Sequence, residues 1–282
     1  MHPTRRAFLS TLGMAAAASP LACTPSPGTR RLTRVGIQLY ALRDDAQRDL
    51  ERTLAEIAKV GYKDVELLDS MNNFGMPPAQ LRAVLDREGL RAPSTHVSGE
   101  AFDHLDRTIE AAKVLGHEYL VLAGLPVADN TTLDGYRRWA DRLNEAGQQA
   151  GKSGVRIAFH DEPVDFTPID GAIPYDVIGE RTTAASVTLQ LDTGNIAMAG
   201  GDPLDYLKRY GARYVLFHIK DVPSRPAAND TELGKGVLDF KALLAAVDRI
   251  DEKRLYVEQE TYPGAPLESA RRNYAYLSTL EF

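Results

Sequence analysis

From residue 34 onward, short apolar runs alternate with longer segments whose apolar residues recur at helical spacing. The runs at 34–40 (RVGIQLY), 64–68 (DVELL), 91–97 (RAPSTHV), 119–123 (YLVLA), 155–160 (VRIAFH), 187–191 (VTLQL), 214–217 (YVLF) and 254–258 (RLYVE) have the length of buried strands. Helices are expected between them. In residues 45–60, Leu50, Leu54, Ile57 and Ala58 share one face, and Gly61 closes the segment. Pro77-Pro78 opens a helix that ends at Gly89, and others are expected at 102–115, 132–150, 174–180, 239–250 and 267–280. A Gly-Gly-Asp-Pro turn and one short helical segment separate the sixth run from the seventh. Eight such units predict an α/β fold: a (β/α)8 TIM barrel forming a single domain. A doubly wound open sheet more often carries a Gly-rich phosphate loop after its first strand, and GIQLYALRDD has none. No repeat of solenoid period is present.

A barrel aims the carboxyl ends of its strands at one mouth. The residues at those ends are Gln38, Glu66, His96, His160, Asp192, His218 and Glu258. Alone, a histidine at a strand end is ordinarily a hydrogen-bonded core or surface group, and a lone glutamate is solvated. Gathered in one basin, the carboxylates would repel one another unless a cation neutralised them. His160, Asp192, His218 and Glu258 come from four consecutive strands and offer two imidazoles and two carboxylates. That set suits one divalent metal ion (Mn²⁺, Zn²⁺, Co²⁺, Fe²⁺ or Mg²⁺) better than Ca²⁺. Glu258 is the first candidate for a catalytic base, with Glu162 as a second acid/base group. Lys220 is placed to stabilise an oxyanion, or else to form a rim salt bridge with Asp221 or Glu232. Gln38, Glu66, His96 and Lys235 are the candidate substrate contacts, and Glu66 and His96 could also move protons. Lys235 lies in Gly234-Lys235-Gly236, a loop able to bring N–H groups and an ammonium to a substrate oxygen, or simply a flexible one.

Composition changes the picture at the amino terminus. Residues 1–23 carry Arg5-Arg6, an Ala-rich apolar stretch and no acid, the pattern of a twin-arginine (Tat) signal peptide. Cys23, the chain's only cysteine, excludes an internal disulfide and sits where a lipoprotein would be cleaved and lipidated. The expectation is an exported protein, periplasmic or anchored by lipid at Cys23. Residues 24–33 (TPSPGTRRLT) read as a linker and 34–282 as the barrel, close to the roughly 250 residues typical of one. Without residues 1–23, which hold two arginines and no acids, the formal charge of −6 becomes −8. Such a surface argues against nucleic acid as a partner.

The segments GIQLYALRD at 36–44, APSTHV at 92–97, LDTGN at 191–195, FHIKD at 217–221, GKGVLDF at 234–240 and VEQETYPGAPLES at 257–269 carry a further implication. Through them the chain resembles the xylose isomerase-like TIM-barrel superfamily, in particular exported sugar phosphate isomerase/epimerase proteins. The resemblance implies metal ligands on strands five to eight, which fall on His160, Asp192, His218 and Glu258. It also implies a small-molecule carbohydrate substrate. One departure stands out: relatives often read Tyr-His-Asn-His in strand five, where this chain has Phe159-His160-Asp161-Glu162. The strand-five glutamate that serves some relatives as ligand and acid/base has no direct counterpart. The leading expectation is a metal-dependent sugar isomerase or epimerase that removes a proton beside a carbonyl. The alternative is a keto-glycoside lyase acting by β-elimination at the same site. An apurinic endonuclease would want a basic face, and a non-catalytic carbohydrate-binding barrel would bind without turnover.

Overall fold

A computed structural model describes residues 30–282. The expected signal peptide, Cys23 and most of the expected linker lie outside the described residues. Eight parallel strands close into a barrel in sequence order: β1 (Gly36–Gln38), β2 (Asp64–Leu68), β3 (Arg91–Val97), β4 (Tyr119–Leu122), β5 (Arg156–His160), β6 (Val187–Asp192), β7 (Tyr214–Ile219) and β8 (Arg254–Val257). Residues 30–33, expected to end the linker, lie against the barrel. The Arg30 and Phe282 backbones exchange two hydrogen bonds, and Leu32 packs on the core.

Every strand is buried on both faces, but its two sets of side chains differ. In β6, Val187, Leu189 and Leu191 join the apolar layer beneath the helices, while Thr188, Gln190 and Asp192 occupy the alternate positions. Tyr119, Val121, Ala158, Leu216 and Tyr256 form a separate small cluster inside the ring. Above it the interior turns polar, because Gln190, Asp192, Glu66 and His218 share the barrel axis. Register fixes that layer: Gln38 lies beside Glu66, Glu66 beside Ser94, His160 beside Gln190 and Asp192 beside His218.

The helices follow the apolar periodicity, with three changes. The helix expected over 45–60 is two helices, Arg43–Arg48 and Leu50–Val60, because extended Asp49 breaks the first and its carboxylate caps the second at the Arg52 N–H. A helix not foreseen, Thr193–Met198, starts directly after β6. The helix expected over 239–250 is shorter, Phe240–Ala246. The long helix Leu133–Gly151 matches its expected span and buries Tyr136, Trp139, Ala140 and Leu143. At Gly147 a β-carbon would stand 2.1 Å from the Ser186 carbonyl oxygen, so only glycine lets this helix approach the turn before β6.

One buried group outside the mouth makes stability depend on pH. His117 donates from Nδ1 to the Ala92 carbonyl at 2.6 Å, while its buried Nε2 has no partner. Burial lowers its pKa from 6.5 to about 4, against small opposing effects of the Ala92 bond and Glu66, with Arg82 adding to the fall. The unfolded chain therefore takes up this proton first as pH falls. The stability is fully present above pH 6.5 and is lost progressively towards pH 4, by about 3 kcal/mol. His117→Gln is expected to flatten that part of the profile, as read from urea midpoints between the two pH values. An unchanged slope would show that other groups govern it.

Candidate metal centre and active site

The strand ends bring His160, Asp192, His218 and Glu258 together. One ligand atom from each lies within 4.8 Å of every other, and all four residues are buried. His96, His160 and His218 make a second, overlapping group by the same measure. The His96 ring packs against both others, with centroids 4.8 Å from His160 and 5.2 Å from His218.

The backbone and the barrel interior set the ring orientations. His160 Nδ1 lies 3.1 Å from the carbonyl oxygen of Ala123, which can only accept, so this nitrogen carries a proton. His218 Nε2 lies 2.5 Å from the Glu66 carboxylate and is likewise the donor. Each ring thus turns its other nitrogen into the mouth. His160 Nε2 and His218 Nδ1 face each other at 3.2 Å, and Glu258 Oε2 stands 3.0 Å from His218 Nδ1. In neutral rings these are lone pairs aimed at lone pairs. Asp192 adds to the excess. Its Oδ1 caps the helix Thr193–Met198 through the N–H groups of Gly194 and Asn195, at 2.7 and 2.9 Å. Its buried Oδ2 has no hydrogen-bond partner and points at the same space.

This donor set fits a divalent cation: two imidazole nitrogens turned into the mouth, one carboxylate oxygen without a hydrogen bond and a second carboxylate. The electrostatics of these groups follow from their packing. Burial opposes protonation of both rings, but Asp192 carries His160 up to about 9, and Glu258 and Glu66 carry His218 well above its ordinary value. Burial also opposes ionisation of Glu258, yet Lys220 and His218 bring it down to about 2. Asp192 is held well below its usual range, with Lys220 the main influence against burial.

Lys220 is not the rim residue that its place in the sequence allowed. It is fully buried, and its Nζ lies 3.1 Å from Asp192 Oδ2, 2.9 Å from Glu258 Oε2 and 2.7 Å from Glu260 Oε1. Neither Asp221 nor Glu232 is its partner. Asp221 instead accepts backbone N–H groups from Val222, Gly234 and Gly236, and Glu232 binds Ser269, Arg272 and Lys235.

That arrangement also fixes the glycine-lysine loop. The Gly234 and Gly236 N–H groups are spent on Asp221 Oδ2, at 2.9 and 3.0 Å, and are not offered to a ligand. Lys235 is tied to Glu232 rather than to any residue of the metal cluster. Two other expected substrate contacts also sit elsewhere. Gln38 and Glu66 are wholly buried within the barrel. The Glu66 oxygens accept from Gln38 Nε2 (2.8 Å), Ser94 Oγ (2.6 Å) and Gln190 Nε2 (3.0 and 3.1 Å) as well as from His218. Burial disfavours its charge, but His96 and His218 prevail and hold its pKa at about 2. Glu66 orients His218 from behind. His96 is nearly buried, with Nε2 engaged by Gln190 Oε1 at 2.9 Å.

Glu162 is the more accessible carboxylate beside the centre. Its side chain retains 45 % of its accessibility, and Oε1 lies 3.9 Å from His160 Nδ1. Desolvation, helped by the charges of Glu258 and Asp165, raises its pKa to about 7, while His160 and Lys220 oppose the rise.

Sequence reasoning missed Gln190, Ser94, Asn195, Asp161 and Glu260. Gln190 and Ser94 lie on the inward period of β6 and β3, one step below residues that were selected. Asn195 belongs to the LDTGN segment; it donates to the Asp161 carbonyl at 2.8 Å and accepts from Lys220 Nζ at 3.1 Å. Asp161 Oδ1 accepts the Asp192 N–H at 2.9 Å, and burial, reinforced by the Asp192 charge, pushes its carboxyl well above the ordinary value.

A closed parallel barrel with a polar, imidazole-and-carboxylate mouth defines the class of protein. The chain belongs to the xylose isomerase-like TIM barrel family, whose model matches residues 54–280. Among curated relatives it is 25 % identical over 267 residues to an inosose dehydratase of Lacticaseibacillus casei, covering 80 % of this chain and 88 % of the relative. It is 26 % identical over 272 residues to the rhizopine catabolism protein MocC of Rhizobium meliloti, covering 82 % and 81 %. A solved sugar phosphate isomerase/epimerase from Parabacteroides distasonis superposes with a TM-score of 0.73 at 22 % identity, covering 92 % of this chain and 98 % of the other. That last likeness is one of fold.

Proposed function

We propose that this protein is a divalent-metal-dependent lyase acting on a polyhydroxylated ketone: it removes the proton beside the carbonyl and expels the β-oxygen substituent. The observation that supports this reading is the meeting of His160 Nε2, His218 Nδ1, Asp192 Oδ2 and Glu258 Oε2 around one point, with Asp192 Oδ2 left without a hydrogen bond. A divalent ion held by those four residues would supply Lewis-acid stabilisation of negative charge on a substrate oxygen.

The chain's own groups then divide the work. Glu258 is bound to His218 and Lys220 and is a strongly acidic carboxyl, so it makes a poor base at neutral pH. Glu162, at the open side of His160, is the better-placed base. Its carboxylate takes the C–H proton, the C–H electron pair becomes the new C=C bond, and the β-carbon–oxygen bond breaks. The same carboxyl returns the proton to the departing oxygen, so one free group completes an elimination.

An isomerase or epimerase shares the first step but needs a second group, to move a proton between the substrate oxygens or to deliver one to the opposite face. The candidates for that second role, Glu66 and His96, are buried and committed to Gln38, Ser94, Gln190 and His218. The commitment of those two side chains and the likeness to inosose dehydratases support elimination over the isomerisation expected first. Inososes and keto-glycosides are the substrate classes that fit. Export by the twin-arginine route, which would bring the enzyme to external glycosides, is part of the same proposal.

The test is incubation of the metal-supplemented protein in D₂O with an inosose and a 3-keto-glycoside. Elimination predicts an enone together with released water or aglycone, and Glu162→Gln should slow it by about 10²-fold with metal content unchanged. Deuterium incorporation with every substituent retained would establish isomerase or epimerase chemistry instead. Neither exchange nor elimination with either ketone would sink the proposal.

A further inference from the structure

We propose that Lys220 is a built-in counter-cation of this site, holding the carboxylates together without metal and setting how tightly a divalent ion binds. The inference rests on the metal-centre reading above and adds to it a competitor supplied by the chain. Two of the four candidate ligands, Asp192 Oδ2 and Glu258 Oε2, are the same atoms that the Lys220 ammonium approaches at 3.1 and 2.9 Å. A divalent ion between those oxygens would stand close to a like charge. Glu260 offers the ammonium another anchor at 2.7 Å, and its side chain is 40 % accessible, towards the rim. The Asp230 carboxylate holds Glu260 there by accepting the backbone N–H groups of Glu260 and Thr261, at 2.5 and 2.8 Å.

The fold is built around this lysine. A β-carbon on Gly194 would lie 2.4 and 2.5 Å from Lys220 Cγ and Cδ, so the glycine of LDTGN is what admits the lysine stem. Thr193 Oγ1 accepts the Lys220 N–H at 2.9 Å and donates to its carbonyl at 2.7 Å, fixing the backbone beneath it. Asn195 Oδ1 takes a further ammonium hydrogen at 3.1 Å. The segment that supplies the ligand Asp192 therefore also supplies the seat for its competing cation. Burying several carboxylates without compensation is costly, and an internal ammonium lowers that cost. With Asp192 and Glu258 engaged by an ion, Glu260 would remain as the anchor for the ammonium.

The experiment is a calorimetric titration of Mn²⁺ into chelator-stripped full-length protein, paired with thermal melts in EDTA and in Mn²⁺. Lys220→Met is expected to bind Mn²⁺ about tenfold more tightly than the wild type, to melt lower in EDTA and to regain more on adding Mn²⁺. Glu260→Gln, at a partly exposed position, should bind Mn²⁺ less tightly because Lys220 is left to Asp192 and Glu258. In the Lys220→Met background that Glu260→Gln penalty should shrink. Equal or weaker Mn²⁺ binding by Lys220→Met overturns the inference. Should Lys220→Met fail to fold, unchanged binding in Glu260→Gln overturns it alone. A wild type that binds no divalent cation removes the metal centre as well, which separates that failure from this one.

Discussion

Asp192→Asn is expected to retain the fold while losing both metal and turnover. The two oxygens of this carboxylate have separate tasks. Oδ1 accepts the N–H groups of Gly194 and Asn195 and so caps the helix Thr193–Met198, whereas Oδ2 faces His160, His218 and Lys220 without a hydrogen bond. An asparagine can keep its carbonyl on the cap. Its amide then presents hydrogens where an anion stood, beside the Lys220 ammonium, and offers no lone pair to a metal. Loss of a charged ligand from a Lewis-acid site removes several kcal/mol of charge stabilisation, so turnover should fall by about 10³-fold or more. Elemental analysis after purification without chelator should find the metal absent. Asp192→Ala would lose the cap as well and melt lower by the equivalent of about 1 kcal/mol. Wild-type metal content in Asp192→Asn would mean that the four-residue centre is wrongly drawn, whatever happened to activity.

The mouth was legible because strand length and strand-end chemistry are local properties. A run such as VTLQLD announces a buried strand and ends on a residue able to bind metal, and once eight such runs predict a barrel, its closure brings four of those ends together. What the other polar residues do depends on depth along the barrel axis, which periodicity does not encode. Gln38 and Glu66 stand on the inward period of their strands, and register pairs them with each other inside the barrel. Their environment is therefore protein rather than substrate. The fate of Lys220 was hidden for another reason: residue spacing cannot tell a rim lysine from one whose stem fits over a glycine on the neighbouring strand's helix. The Gly234-Lys235-Gly236 loop looked open because its glycines are free in sequence. In the fold Asp221 gathers their N–H groups, and a β-carbon on Gly236 would lie 2.2 Å from Asp221 Oδ1.

Glu66 tests that distinction between a substrate contact and an internal support. If it touched substrate, replacing it would raise KM and leave the melting curve alone. Its position predicts the reverse. Glu66→Leu would strand the donors of Gln38, Ser94, Gln190 and His218 inside the barrel, each without its acceptor. Breaking a buried charge network by deleting one partner typically costs about 3–5 kcal/mol, and urea unfolding should register a loss of that order. Glu66→Gln is the finer probe, since it preserves volume. One oxygen can still accept from Gln38 and His218 Nε2, but the new amide hydrogens meet the Ser94 hydroxyl and the Gln190 amide, and the anion that fixes the His218 tautomer is gone. Supports of metal-ligating histidines commonly govern affinity by about 10–100-fold, so Mn²⁺ binding should weaken by that factor in Glu66→Gln. The acid limb of the wild-type stability profile follows from the same group. With its pKa held at about 2 against an ordinary 4.5, Glu66 contributes stability that is present above pH 4.5 and is lost as pH falls towards 2. Glu66→Gln should lose that part of the pH dependence. A variant that kept the wild-type melt, acid profile and Mn²⁺ affinity would return Glu66 to the substrate and leave His218 oriented by something else.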